Sequence, residues 1–200
     1  MTTIDAAAVR RVTERVRERA LAEGLLDIGY ATMDTPIGRL LVASTRLGLV
    51  RIGFEDEGEE PLVELSARVS PRILESPARV DEARRQLERY FSRGLRRFDL
   101  PLDWRLVGAF GRRVLRRVAR VPYGNVESYG DVAVDVGHPR AARAVGNAVG
   151  ANPMPIVVPC HRVVRAGGAL GGYGGGLPRK RFLLELEGAL PTNPEAARSG

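Results

Sequence analysis

The sequence predicts an α/β N-terminal domain with a small antiparallel sheet, followed by a mostly α C-terminal domain that contains a helix-turn-helix. Two observations lead to this fold class. Apolar runs separated by glycine turns over residues 28–54 are typical of β-strands. After residue 104, two short helix patterns are separated by the three-residue break Gly137-His138-Pro139, which is the spacing of a helix-turn-helix.

We divide the chain into four parts. Residues 1–27 are predicted to be an N-terminal helical extension, because apolar residues recur at helical spacing over residues 5–23. Residues 28–104 form the N-terminal α/β domain and residues 105–190 the C-terminal domain. Residues 191–200 form a tail.

In the N-terminal domain, the apolar runs Leu40–Ala43 and Leu49–Phe54 predict an antiparallel hairpin. Residues 55–60 read as an acidic, solvated loop. Residues 78–92 predict an amphipathic helix. Its apolar face carries Val80, Ala83, Leu87, Tyr90 and Phe91.

In the C-terminal domain, residues 107–120 predict a basic helix that ends before a Pro-Tyr-Gly turn. Ser128 is expected to cap the next helix, Tyr129–Val136, with Asp131 completing a capping box. The second helix of the pair spans Arg140–Val149. A last helix, Pro178–Glu187, is stopped by Gly188.

Charge is unevenly distributed between the two halves. Residues 1–104 hold 17 Arg against 18 acidic residues, whereas residues 105–200 hold 13 Arg and Lys180 against 6 acidic residues. The whole net charge of +7 therefore lies in the C-terminal half, which favours a polyanionic partner. A genome biased toward arginine codons explains 30 Arg to one Lys, but not the depletion of acidic residues after residue 104.

Composition also excludes several classes of protein. No apolar run is long enough for a membrane span, and the first residues do not resemble a secretory signal. A single cysteine excludes an internal disulfide and a multi-cysteine zinc site. We therefore expect a cytoplasmic protein with no membrane partner.

That single cysteine lies in the run Pro155-Ile-Val-Val-Pro-Cys-His-Arg-Val-Val164. Pro159 suits the start of a short helix, which would place Cys160 in its first turn, where the helix N-terminus favours a thiolate. His161 supplies a base and Arg162 a positive charge. The alternative is a buried cysteine that acts as a small hydrophobe.

The Pro-Cys-His-Arg-Val-Val run resembles that of the O6-alkylguanine-DNA alkyltransferases, also called methylated-DNA–protein-cysteine methyltransferases, and the resemblance covers residues 28–190. It implies single-turnover DNA repair by a monomer without cofactor. The alkyl group of O6-alkylguanine, or of O4-alkylthymine, in double-stranded DNA would pass irreversibly to Cys160. Some relatives carry zinc in the N-terminal domain, but this chain has no cysteine there, so no metal is expected.

The resemblance also implies roles for the catalytic residues. Glu187 pairs with His161, which reaches Cys160 through a water, as in acyl-transfer triads. Tyr129 assists the leaving guanine by donating a proton to N3. Asn152 bridges the helix-turn-helix to the cysteine loop.

The same resemblance makes Arg140–Val149 the recognition helix, lying in the minor groove. Arg143 fills the space left by the flipped base. Tyr173, in the glycine-rich loop at residues 166–176, walls the base pocket, and Gly174 stands where several relatives have Ser. The expected DNA contacts are Arg140, Ala141, Ala142, Arg143, Arg162 and Tyr173.

Two other functions stay open at this stage. One is a lesion-sensing binding module of the alkyltransferase-like type, which lacks the thiol, and Cys160 argues against it. The other is a Cys–His hydrolase that turns over. The helix-turn-helix and the basic half argue against that reading.

Overall fold

The computed structural model describes residues 11–13, 15, 19–20 and 23–190. Of the helix predicted at residues 5–23, the described residues 11–13, 15, 19 and 20 are helical, and most of the others lie outside the described residues. The predicted tail at residues 191–200 lies outside them as well.

The N-terminal half is a four-stranded sheet with helices packed against it. Its strands are β1 (Ile28–Met33), β2 (Leu40–Thr45), β3 (Gly48–Phe54) and β4 (Ile73–Glu75), in the order β3-β2-β1-β4. Its helices are α1 (Glu60–Arg68) and α2 (Pro77–Phe91).

The predicted hairpin is confirmed, because β2 and β3 pair antiparallel, with Leu40 opposite Phe54. The sheet is nevertheless mixed and not purely antiparallel, since β4 pairs parallel to β1. Helix α1 was not predicted. The acidic run expected to be a loop instead forms a 3-10 turn at Glu55–Glu57 and then leads into α1, with Pro61 in its first turn.

The amphipathic helix over residues 78–92 is confirmed as α2. Val80, Ala83, Leu87 and Tyr90 are buried on one face, and Phe91 is half-buried. This spacing places one stripe of α2 against the sheet, and such packing gives a helix in a folded protein most of its stability.

The C-terminal half is mostly helical. Its helices are α3 (Ala109–Val118), α4 (Tyr129–Asp135), α5 (Ala142–Gly150) and α6 (Gly176–Leu186). Two short parallel strands, β5 (Glu127–Ser128) and β6 (Val163–Val164), lie between them. The helix-turn-helix is therefore α4–α5.

The start of α4 has the predicted capping box. The backbone N–H of Asp131 donates to Ser128 Oγ at 3.1 Å, and Ser128 N–H donates back to Asp131 Oδ2 at 2.9 Å. These two bonds satisfy donors that the first turn of a helix leaves free, so the helix begins at Tyr129.

One hydrophobic core runs through both halves. It joins Ile52 of β3 and Leu87 of α2 to Val145 of α5 and Leu183 of α6, all with no exposed surface. Within the described residues, no helix is both long and apolar enough to span a membrane.

Candidate active site

Strands β5 and β6 tie together the two segments that carry the predicted site. β5 ends directly before Tyr129, and β6 begins directly after Arg162. Glu127 pairs with Val163 and Ser128 with Val164. The start of the helix-turn-helix is thereby held against the cysteine turn.

Cys160 begins a 3-10 turn, Cys160–Arg162, and is 4% exposed. The preceding loop contains Ile156 at φ +74°, a strained value for a β-branched residue. Asn152 braces this loop. Its Nδ2 donates to the Val158 carbonyl at 2.8 Å and to Cys160 Sγ at 3.1 Å, while its Oδ1 accepts from Met154 N at 3.0 Å.

Burial raises the pKa of the Cys160 thiol to about 11, although Asn152, Lys180 and the backbone amides of Cys160 and His161 act to lower it. The turn N-terminus does favour the thiolate, as predicted, but desolvation outweighs it. Cys160 is therefore a thiol at neutral pH in the absence of substrate, and a base must take its proton when it reacts.

His161 and Glu187 form the pair that the resemblance implies. His161 Nε2 lies 2.9 Å from Glu187 Oε1, and both side chains have no exposed surface. Burial lowers the pKa of His161, against the raising effect of Glu187, so the imidazole is neutral at neutral pH. Its Nδ1 is buried and has no hydrogen-bond partner among the described residues, so it is the ring nitrogen that can accept a proton.

Glu187 is held by its position in the fold. It follows α6, which is ended by Gly188 at φ +73°, a conformation that favours glycine. Burial raises the pKa of Glu187, but the hydrogen bonds and charges of His161 and Arg162 outweigh burial and set it at about 2. The carboxylate is thus ionised at neutral pH.

Arg162, which the resemblance placed among the DNA contacts, is buried in this structure. It is 5% exposed and donates to Glu187 twice, from Nε to Oε2 at 2.8 Å and from Nη2 to Oε1 at 2.9 Å. Its Nη1 donates to the Val121 carbonyl at 2.6 Å. Arg162 is therefore part of the buried array behind Cys160.

A cavity of about 680 Å³ opens onto Cys160. Tyr129 and Arg143 of the helix-turn-helix line it together with Arg165 and Tyr173. The volume lies in the range of small-molecule sites, which is enough for a nucleobase. Five predicted site residues, Tyr129, Ala142, Arg143, Cys160 and Tyr173, share this cavity.

The hydroxyl of Tyr129 donates to the Gly172 carbonyl at 3.4 Å. Burial raises its pKa, and a charge on Cys160 would raise it further, so the phenol stays protonated and able to donate. Gly171, at φ +68°, allows this contact. A Cβ there would lie 3.2 Å from the Tyr129 ring.

Tyr173 lies between His161 and Phe54. Its ring is perpendicular to that of His161, with 6.5 Å between centroids, and lies edge-on to Phe54 at 6.0 Å. It also lines a second cavity of about 420 Å³, which reaches Cys160 and whose walls do not include Tyr129 or Arg143. At Gly174, an added Cβ would make only ordinary contact, 3.6 Å from the Gly150 carbonyl, so a serine would fit there.

The start of α5, which the resemblance identifies as the recognition helix, exposes most of the predicted contact residues. Arg140, Ala142 and Arg143 are exposed, and Ala141 is half-buried at the N-cap of α5. Val145 and Val149 face the core. The first turn of α5 and the residues directly before it therefore expose small side chains and two arginines.

Lys180 lies beside the site but was not among the residues predicted from the sequence. This residue has no exposed surface, and its Nζ donates to the carbonyls of Val163, Leu170 and Gly172, which fastens the glycine-rich loop to β6. Burial lowers the pKa of Lys180 to about 8. A signal was available, because Lys180 is the only lysine beside 30 arginines.

Within the described part of the chain, no group of three or more His, Cys, Asp or Glu side chains could hold a metal ion.

Family models match most of the chain. The 6-O-methylguanine DNA methyltransferase ribonuclease-like domain matches residues 28–104, and the DNA binding domain of the same family matches residues 109–189.

Individual relatives agree with this. The methylated-DNA–protein-cysteine methyltransferase of Mycolicibacterium paratuberculosis is 46% identical over 160 residues, covering 80% of this chain and 92% of that protein. The crystal structure of the Mycobacterium tuberculosis O6-methylguanine methyltransferase is 40% identical, covers 85% of this chain and 98% of that one, and gives a TM-score of 0.71. The Mycobacterium tuberculosis OGT in complex with DNA is 42% identical over 80% of this chain and 93% of that one, with a TM-score of 0.69.

Proposed function

The chain belongs to the 6-O-methylguanine DNA methyltransferase family, and from that premise we propose that Cys160 is the residue that accepts the alkyl group. The protein acts in DNA repair by transferring an alkyl group from DNA to a cysteine. One observation carries the assignment. The only cysteine of the chain lines a base-sized cavity whose wall continues into the helix-turn-helix.

The buried array behind Cys160 supports a general-base role for His161. Neutral His161 donates Nε2–H to Glu187, which leaves Nδ1 free to take the thiol proton, directly or through one water. Glu187 then stabilises the imidazolium that forms. Sγ attacks the alkyl carbon, an S–C bond forms, the C–O6 bond breaks, and guanine leaves with the electron pair.

Tyr129 is suited to assist the leaving base. Its protonated hydroxyl lines the same cavity as Cys160, so it can donate toward a guanine bound there. The product is a thioether, which has no easy hydrolysis route. The reaction therefore stops after one transfer, and each chain reacts once.

The target base must leave the duplex to reach a buried thiol. Exposed Arg143 in the first turn of α5 can enter the gap that the base leaves, and Arg140, Ala141 and Ala142 can approach the groove. We assign Tyr173 to the wall of the base pocket.

We propose O6-alkylguanine, and also O4-alkylthymine, in double-stranded DNA as substrates, and a monomer as the acting form. We place the reaction in the cytoplasm, where a lone thiol stays reduced. The domain boundary at residue 104 is supported by the bounds of the two family models.

The test is the intact mass of the protein after incubation with a duplex containing one O6-methylguanine. We expect the chain to gain the mass of one methylene unit, located by peptide mapping on the peptide that contains Cys160, with repaired sites equal in number to protein molecules.

Cys160→Ser is the matched control, since it changes one atom and leaves the groove contacts untouched. It should bind the duplex as the wild type does and gain no mass. An alkyl group found elsewhere, or repaired sites that outnumber the protein, would contradict the proposal.

A further inference from the structure

Tyr90 joins the N-terminal half of the molecule to the buried array behind Cys160. It lies on α2, far from Glu187 in sequence, yet its hydroxyl donates to Glu187 Oε1 at 2.6 Å. Tyr90 has no exposed surface, and the Glu187 side chain has none either. A hydrogen bond between an ionised carboxylate and a phenol at this distance is of the stronger kind.

The same oxygen carries the contact that orients His161. Oε1 accepts from His161, from Nη2 of Arg162 and from Tyr90, whereas Oε2 accepts from Nε of Arg162 and, at 3.3 Å, from Gly124 N. Arg162 thus donates to both oxygens of the carboxylate. Tyr90 supplies a further donor to the oxygen that holds the imidazole.

Packing alone does not require the Tyr90 hydroxyl. The ring contacts Phe91, Phe98 and Tyr123, with centroids 5.4, 5.3 and 6.2 Å away. A phenylalanine would make the same ring contacts, and burying a hydroxyl is unfavourable unless it is hydrogen-bonded. The Tyr90 hydroxyl donates its hydrogen bond to the carboxylate of Glu187.

We propose that Tyr90 is a positioning residue for alkyl transfer. Its hydroxyl holds the Glu187 carboxylate so that His161 keeps the orientation in which it takes the Cys160 proton. The N-terminal domain thereby completes an array whose other members all lie in the C-terminal domain. This inference rests on the proposed function.

The groups that surround this contact come from several elements. His161 and Arg162 face Glu187 from the 3-10 turn, and Tyr173 approaches from the glycine-rich loop. Lys180 of α6 acts on His161 through its charge. Tyr123 comes closest to matching Tyr90, but its hydroxyl donates to the Leu186 carbonyl at 3.1 Å and not to the carboxylate.

The experiment compares Tyr90→Phe with Tyr123→Phe, its matched control. Each loses one hydroxyl beside Glu187, but only Tyr90 touches the carboxylate. The readout is the rate of alkyl transfer from free O6-benzylguanine, which needs neither DNA binding nor base flipping. We expect Tyr90→Phe to react about tenfold more slowly near neutral pH, a fraction of what a positioned base contributes, and Tyr123→Phe to react at nearly the wild-type rate.

Two further measurements show whether Tyr90→Phe slows the reaction by misplacing Glu187 or by disturbing the fold. The Tyr90→Phe defect should shrink as pH rises, because ionisation of the thiol by solvent then replaces His161. In a His161→Gln background, Tyr90→Phe should have no further effect, because Tyr90 acts through His161.

A Tyr90→Phe defect that is equal at every pH, or that persists in the His161→Gln background, would overturn the inference. So would equal rates for the two tyrosine variants. If the wild-type protein itself accepts no alkyl group, the proposed function fails instead.

Discussion

At the scale of single residues, burial and hydrogen bonding shift the pKa values of the site in opposite directions. Burial raises the pKa of Cys160 to about 11, and the donors around its sulfur do not overcome this. For Glu187 the hydrogen bonds and charges of His161 and Arg162 outweigh burial, and its pKa is about 2. A neutral thiol beside a neutral His161 and a fixed carboxylate is a resting state that needs a proton transfer before it can react.

This resting state predicts the pH dependence of the reaction. With free O6-benzylguanine, the wild-type rate should be nearly level from about pH 7 to about pH 9, because a neutral His161 takes the proton. A free histidine has a pKa of about 6.5, and the pKa of His161 is lower. The rate should therefore not yet fall when the pH drops to about 6.5.

The His161→Gln variant is the comparison for that profile. The variant should react more slowly than the wild type, and its rate should rise about tenfold per pH unit. The reason is that its rate follows the fraction of Cys160 that is ionised, and the pKa of this thiol is high. A wild-type rate that itself climbs tenfold per unit would show that the thiolate forms without His161. Stopped-flow or quench-flow rate constants over a pH series decide between these outcomes.

At the scale of elements, α5 combines a buried face with an exposed first turn. Val145 and Val149 pack into the core, while Arg143 projects into the cavity that also contains Cys160. Arg117 of α3 ties this region together, since it pairs with Glu127 of β5 and Asp135 of α4. Because β5 pairs with β6, which directly follows the cysteine turn, these ion pairs hold α3 and α4 near Cys160.

Removing the Arg143 side chain should uncouple duplex repair from chemistry. In Arg143→Ala, transfer from O6-methylguanine in duplex DNA should slow about 10- to 100-fold, because unstacking a base costs a few kcal/mol. Transfer from free O6-benzylguanine should change little. Arg89→Ala, an exposed arginine on α2, is the control and should affect neither rate. Equal slowing on both substrates would place Arg143 in the chemistry or the fold.

At the scale of the whole molecule, residues 105–200 offer a partner less positive charge than their composition indicates. Arg117 and Arg162 are neutralised by internal ion pairs. Among its described residues, the exposed arginines of this half are Arg105, Arg113, Arg116, Arg120, Arg140, Arg143, Arg165 and Arg181.

These exposed arginines predict a moderate salt dependence of binding. With roughly four to six phosphate contacts, log affinity for undamaged duplex should fall against log salt with a slope of about −4 to −5, at roughly micromolar affinity and with little sequence preference. Arg140→Ala should reduce the slope by about one. Titrations of two unrelated duplexes over a salt series test both points. A salt-independent affinity, or a strong preference for one undamaged sequence, would contradict this mode of binding.

The sequence by itself determined the features that depend on neighbours a few residues apart. The β2–β3 hairpin, the amphipathic α2, the Ser128–Asp131 cap and the cysteine turn all rest on periodicity or on hydrogen bonds within one turn, so their signals are local. Tertiary structure decided the rest. Pairing of β4 with β1, burial of Arg162 against Glu187 and the contact of Tyr90 with that carboxylate join distant segments. Desolvation of Cys160 likewise depends on what packs over it, so the turn that favours a thiolate in sequence holds a thiol in the folded protein.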